Sequence, residues 1–169
     1  MDLPERLENA LDTLEEAGFS SDNAQGRAYG VLTAFLLKAT TQDLLRFAPI
    51  LAQAIPELAP TLGFQQHSPH HAYDVFTHTA YVTGAVPAET ALRWAALLHD
   101  IGKVPCFTRD ETGRGHFGGH AQVSAQMASL VLERLICLQE ADMRGKGTGE
   151  HENSDRYCRL RALLAQLVD

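Results

Sequence analysis

The chain has 169 residues, 45% hydrophobic and 21% charged, which is enough to bury one globular core with at most a small appendage and too apolar for a disordered polymer. Its 14 Lys+Arg stand against 21 Asp+Glu, and the net charge of −7 excludes a generally basic surface built for phosphate backbones, so any nucleic-acid contact is local. MDLPERLENA lacks a basic segment followed by an apolar run, no apolar stretch approaches the ~20 residues of a spanning helix, and Cys106, Cys137 and Cys158 form no CxxC pair; a cytoplasmic protein with reduced thiols and no membrane partner is expected.

In chain order, Asp2 is placed to cap a first helix with Pro4 in its first turn, a stripe of Leu3, Leu7, Leu11 and Leu14, and Gly18 at its end. A second helix is expected from about Asn23 to Leu37, burying Val31, Leu32, Phe35 and Leu36, with Gly26 and Gly30 weakening it or allowing close packing. Thr40 and Asp43 resemble a capping box ahead of Leu44, Leu45, Phe47, Ala48, Leu51 and Ile55, a third helix that Pro49 kinks and Pro56 ends. PELAPTLGFQQHSPHH has no helical or alternating period and reads as an extended connection over the core. Asp74 then caps a helix carrying Val75, His78, Thr79 and Val82 to near Gly84. Pro87 starts the next, with Leu92, Ala95, Ala96 and Leu98 inward and His99 in its last turn. Residues 101–119, rich in glycine and charge, read as a loop of the active-site type. A long helical pattern from His120 to Met143 carries Val123, Met127, Leu130, Val131, Leu135 and Leu138; GKGTG at 145–149 breaks it, and Leu160, Leu163, Leu164 and Leu167 mark a last amphipathic helix. With no alternating segment and no internal repeat, the expected fold is all-α.

Seven of the eight histidines fall between positions 67 and 120. A metal site for hydrolysis needs imidazole nitrogens and carboxylate oxygens converging from different helices with coordination positions left open. His78 in one helix and the His99-Asp100 doublet ending the next supply that set, because Asp100 leaves the helical geometry that would splay adjacent side chains by about 100°. Gly102 allows the sharp exit. A lone histidine is ordinarily a hydrogen-bonded core residue; three such groups on successive short helices argue for more. His116 and His120 in GRGHFGGH either fold back to the site on their glycines or stand as solvated imidazoles, and Lys103 and Arg109 could bind phosphate. Gly113, Gly115 and Gly118 satisfy GxGxxG without a preceding strand, which fails the context of a dinucleotide site.

LLHDIGK with the upstream His78 in YDVFTHT resembles the HD superfamily of metal-dependent phosphohydrolases. More narrowly, IPELAPTLGFQQHSPHHAYDVFTHT, LRWAALLHDIGKVPCFTRDETGRGHFGGHAQVSA and LQEADMRGKG are similar to the HD portion of bacterial CCA-adding tRNA nucleotidyltransferases and their poly(A) polymerase relatives, over about residues 44–134 and 138–147. LPERLENALDTLEEAGF looks like the helix that opens their nucleotidyltransferase head. The resemblance implies an HD-type helical bundle, with a helical segment over 1–40 and the HD-type domain over 41–169 packed as one unit. By the same resemblance His78, His99, Asp100 and Asp142 are the metal ligands, His116 and His120 assist a second metal or the substrate, and Lys103 lies near the phosphate.

Two departures from that family bear on function. The chain contains no Asp-x-Asp, the carboxylate pair of the nucleotidyltransferase head, so nucleotide addition is not expected of it alone. The family's segment between the elements matching Val131–Leu135 and Leu138–Asp142 is missing, and a straight helix over 120–142 would set Asp142 on the order of 33 Å from His120. Either the chain turns near Ile136 and Cys137, a partner chain supplies Asp142, or the site has three ligands. The expected function is a phosphohydrolase using Mn, Fe, Co, Ni or Mg to activate water, with Asp100 and Lys103 as catalytic residues, acting on a small phosphorylated substrate such as a nucleotide, a 2′,3′-cyclic phosphodiester or an RNA end, alone or as a homodimer. Two other readings are a non-catalytic RNA-binding or oligomerising remnant and a nucleotide sensor without turnover. The lack of Cys near the histidines argues against structural zinc.

Overall fold

The computed structural model describes the backbone of residues 3–20, 27–67 and 72–145, with side chains described over 5–20, 27–67 and 72–138. Helix α1 (Leu3–Glu16) is amphipathic, and Leu7, Leu11 and Leu14 on one stripe are buried. It packs against α2 (Arg27–Lys38), which buries Val31, Leu32, Phe35 and Leu36 as expected from their spacing. Arg27 ties the two helices together by reaching Glu8, Asp12 and Glu15. The expected cap at Asp2, the expected start of the second helix from Asn23 to Gly26, His70 and His71, and the helix of Leu160 to Leu167 lie outside the described residues.

Thr40 forms the expected capping box with Asp43 at the start of α3 (Thr41–Arg46). The third helix is not one kinked rod, however. It stops at Phe47, and α4 (Ala48–Ala54) begins anew with Pro49 in its first turn, where a missing N–H costs nothing. The connection after Pro56 is likewise not extended at its start: Pro56–Thr61 forms a 3-10 helix that buries Leu58 and Thr61. Arg134 clamps it with a two-pronged contact to Glu57, at 2.8 and 2.9 Å.

Asp74 caps α5 (Val75–Ala85) through its carboxylate and the Thr77 N–H. On α6 (Thr90–Leu98) the inward face differs from the apolar reading. Leu92 and Ala95 are exposed, whereas Arg93 and Trp94 are buried. Arg93 satisfies its guanidinium on the carbonyls of Pro87 and Ala39, and Trp94 donates to Thr33 Oγ1 and stacks on Tyr29. Polar tips with partners therefore displaced two simple aliphatics from the interface.

The segment after α6 turns sharply and then forms a small hairpin, β1 (Thr108–Arg109) antiparallel to β2 (Gly115–His116), the only sheet among the described residues. It lies in the glycine-rich loop where no strand is expected, too short to leave an alternating pattern. Helix α7 (His120–Gly145) follows and packs on α2 and α6. Val131, Leu135 and Ile136 are buried, but Leu130 is 63% exposed. One apolar cluster joins α1, α2, α4, α6 and α7 through Leu11, Phe35, Leu51, Leu97 and Leu135. Among the described residues no helix is long and apolar enough to cross a membrane.

Candidate metal centre

The site is built where α5, the end of α6 and the start of α7 meet. His78 comes from the second turn of α5, His99 is the C-cap of α6 and still α-helical in backbone, and Asp100 is the first residue of the turn beyond it. One ligand atom from each of His78, His99 and Asp100 lies within 4.8 Å of the others. His99 Nε2 is 3.1 Å and His78 Nε2 3.6 Å from Asp100 Oδ2, and His120 Nε2 is 3.6 Å from the other oxygen, Oδ1. Asp100 is nearly buried, while the three imidazoles are each about one-third exposed, so the cluster opens to solvent on its histidine side.

Ring orientation is fixed by backbone carbonyls. His99 Nδ1–H donates to Ala96 O and His120 Nδ1–H to Phe117 O, both at 2.7 Å. A carbonyl can only accept, so each Nδ1 carries a proton and each Nε2 is the ring atom that faces Asp100. In the neutral rings these Nε2 lone pairs face a carboxylate, acceptor against acceptor, and either a proton on Nε2 or a metal cation between them relieves that clash. Asp100 Oδ2 is buried, and its close neighbours are His99 Nε2 and a lysine rather than backbone donors. Lys103 Nζ forms an ion pair with it at 2.8 Å. The donor set of imidazole nitrogens with a buried carboxylate oxygen fits a divalent transition cation, and the carbonyl tethers match the way ligating histidines are held.

The electrostatics run the same way. Burial works against ionising Asp100, yet His99 and Lys103 hold its carboxyl well below the usual carboxylate range. Burial likewise disfavours a charged His99, but the Asp100 carboxylate and the Ala96 carbonyl raise its pKa above the ordinary imidazole value. Lys103 is itself buried, and its second contact is Gln66 Oε1 at 2.8 Å. Gln66, 1% exposed, was not singled out from the sequence, because it sits in an aperiodic connection where only its unusual burial marks it.

Gly102 is required for a reason other than the one its sequence position implies. Its φ is not in the left-handed region; instead a Cβ there would lie 2.5 Å from Ser124 N and 2.7 Å from His120 O. The glycine lets the first turn of α7 press against the turn after Asp100, where Gly102 N–H donates to Ser124 Oγ at 2.9 Å, and this contact delivers His120 to the cluster.

The remaining sequence candidates lie apart from it. The register puts Arg109 beside Gly115 on one face of the hairpin and Thr108 beside His116 on the other, and the Phe107 ring against Arg109 also touches that of Phe117. Phe117 lies under Lys103 Nζ at 5.5 Å, so its face is the one toward the site. Arg109 shares that face, against the Phe107 ring and His67 Nε2. His116 instead bonds Asp110 at 2.7 Å on the opposite face. Helix α7 continues without a break through Ile136 and Cys137, so the turn that would return Asp142 is absent; 22 residues beyond His120, its backbone lies about 33 Å along the helix.

The family description "HD domain" matches residues 70–169. An A-adding tRNA nucleotidyltransferase of Deinococcus radiodurans is 41% identical over 92 residues, covering 51% of this chain and 21% of that protein. A CC-adding tRNA nucleotidyltransferase of Thermus thermophilus is 37% identical over 97 residues, 53% of this chain and 22% of its own length. A multifunctional CCA protein of Paracidovorax citrulli is 30% identical over 166 residues, 91% of this chain and 38% of its own length. The chain thus spans well under half the length of these curated relatives. No solved structure matches it.

Proposed function

This chain belongs to the HD domain family, and on that premise we propose that it is a metal-dependent phosphohydrolase acting on phosphate esters, with nucleotides, 2′,3′-cyclic phosphodiesters and RNA ends as its substrate class and the cytoplasm as its location. The observation that carries this reading is the convergence of His78, His99 and the buried Asp100 carboxylate, one ligand atom of each within 4.8 Å of the others. These three residues would hold the cation, drawn from Mn, Fe, Co, Ni or Mg, with His120 beside the second oxygen of Asp100. A divalent cation supplies Lewis-acid polarisation of a phosphoryl oxygen and lowers the pKa of water.

The protein's own part is positioning and charge. The carbonyl tethers of His99 and His120 hold both rings before any ligand arrives, which removes reorganisation from the binding step. Lys103, fixed by Gln66 and Asp100, keeps the carboxylate ionised and adds positive charge where a phosphate would enter. Arg109, on the hairpin face toward the site, is proposed as a rim contact for the phosphate, and His116, held by Asp110, as a substrate-side group only if the hairpin turns. Asp142 of the same chain is left out of the proposed set.

Purified protein supplied with Mn or Ni should hydrolyse bis(p-nitrophenyl) phosphate, and Asp100→Ala should lower the rate at least about a hundredfold. A rate unchanged by that substitution would refute the reading. One observation favours a second reading, a helical module that binds RNA or another copy of itself without turnover: the unbroken α7 leaves three ligands from this chain. A tRNA gel shift with salt titration, positive in the absence of metal uptake, would select it over the hydrolase.

A further inference from the structure

Beside the cluster stand two aromatic rings that take no part in the chemistry above. Tyr73 and Tyr81 are 47% and 46% exposed, and their rings stack at 4.9 Å between centroids with 20° between planes. Tyr81 lies three residues beyond His78 on α5, so the two side chains share one helix face with about 5–6 Å between Cβ atoms. Tyr73 immediately precedes the Asp74 cap, and its carbonyl accepts from Gln66 Nε2 at 3.1 Å. Gln66 is the same side chain whose Oε1 holds Lys103 against Asp100. One amide therefore fixes both the buried cation of the site and the backbone under the outer aromatic pair.

A stacked pair left in water is a flat, preorganised π surface, far smaller than a stable protein interface needs. It stands one helical step from a cluster suited to phosphate. A phosphate joined through a ribose to a flat heterocycle carries a charged end and an aromatic end on one short linker, and base–aromatic stacking tolerates any base because every base has a π face.

We propose that Tyr73 and Tyr81 form a base-stacking platform that receives the nucleobase of a ligand whose phosphate lies at the His78–His99–Asp100 cluster, so that the site favours nucleotides and RNA ends over phosphate esters without a base. The position of the phosphate rests on the phosphohydrolase reading; the stacking surface does not.

The test is calorimetric binding of adenosine 5′-monophosphate and ribose 5-phosphate, the same phosphate with and without a base, in the presence of Mn. Wild-type protein should bind the nucleotide about tenfold more tightly than the sugar phosphate. Tyr81→Ala should abolish that preference while leaving ribose 5-phosphate binding unchanged, and Tyr81→Phe, which keeps the ring, should retain it. Tyr81 is exposed, so neither variant empties the core. Equal affinities for the two ligands, no measurable nucleotide binding, or a preference that survives Tyr81→Ala would overturn the platform. Turnover measured alongside separates the two proposals. Wild-type protein that hydrolyses with Mn but binds both ligands equally removes the platform alone, whereas wild-type protein with a base preference but no hydrolysis removes the phosphohydrolase alone.

Discussion

At the level of single residues, the cluster is organised by which atoms can and cannot donate. The carbonyls of Ala96 and Phe117 fix protons on the Nδ1 atoms of His99 and His120, and that choice leaves the Nε2 atoms facing Asp100. A pH dependence follows. A proton on His99 competes with a cation for Nε2, and because Asp100 and the Ala96 carbonyl raise the His99 pKa against the opposing effect of burial, that competition reaches to higher pH than for a free imidazole. Cation affinity should therefore begin to fall at a higher pH than it would for a free imidazole and approach a tenfold loss per pH unit, for one displaced proton, once the pH lies below the His99 pKa, while Asp100 remains ionised. Titration calorimetry with Mn from neutral to mildly acidic pH checks it, and a flat affinity would contradict it. Without a cation the sign is opposite. The raised His99 pKa contributes stability that is full below the ordinary imidazole pKa and lost as pH rises through the folded value.

Among the elements, the contact between the turn after α6 and the first turn of α7 decides whether the fourth group reaches the site. Gly102→Ala would drive a methyl into Ser124 N and His120 O, both backbone atoms, so the two elements must separate. The expected cost is about 1–3 kcal/mol of stability, with His120 withdrawn from Asp100. Thermal denaturation reads the first effect and the NMR chemical shifts of the His120 ring the second; an unshifted melting temperature would count against this close approach. Helix periods, caps and the doublet were legible in the sequence, as Leu7, Leu11 and Leu14, the Thr40–Asp43 box and the Asp74 cap illustrate. What was not legible depended on tertiary partners. Arg93 and Trp94 take the inner face of α6 because Ala39 O and Thr33 Oγ1 await them, and no local pattern announces that. Gln66 and the need for Gly102 escape for the same reason: each answers a residue far along the chain. Pro49 is ambiguous by chemistry, since a proline kinks a helix interior and suits a first turn equally well.

Across the molecule, α1 and α2 share their apolar cluster with α4, α6 and α7, and we propose that the segment over 1–40 and the HD-type part fold together. Denaturation should then show one cooperative transition by both circular dichroism and Trp94 fluorescence. Removal of residues 1–40 would take Leu11, Leu14, Leu32 and Phe35 out of the core and should abolish that transition. Two separated transitions would show instead that the segment is an independent unit. The net charge of −7 makes a local cation the natural means of drawing a phosphate to an otherwise repulsive surface.

The most direct test is element-resolved metal analysis of the purified protein beside its Asp100→Asn variant, which keeps the shape of the side chain and removes its charge. About one divalent transition-metal ion per wild-type chain, and none in the variant, is the predicted result. A wild-type protein that takes up no metal when supplied with Mn or Ni, or a variant that retains it at the same stoichiometry, would contradict a cation centre built on His78, His99 and Asp100.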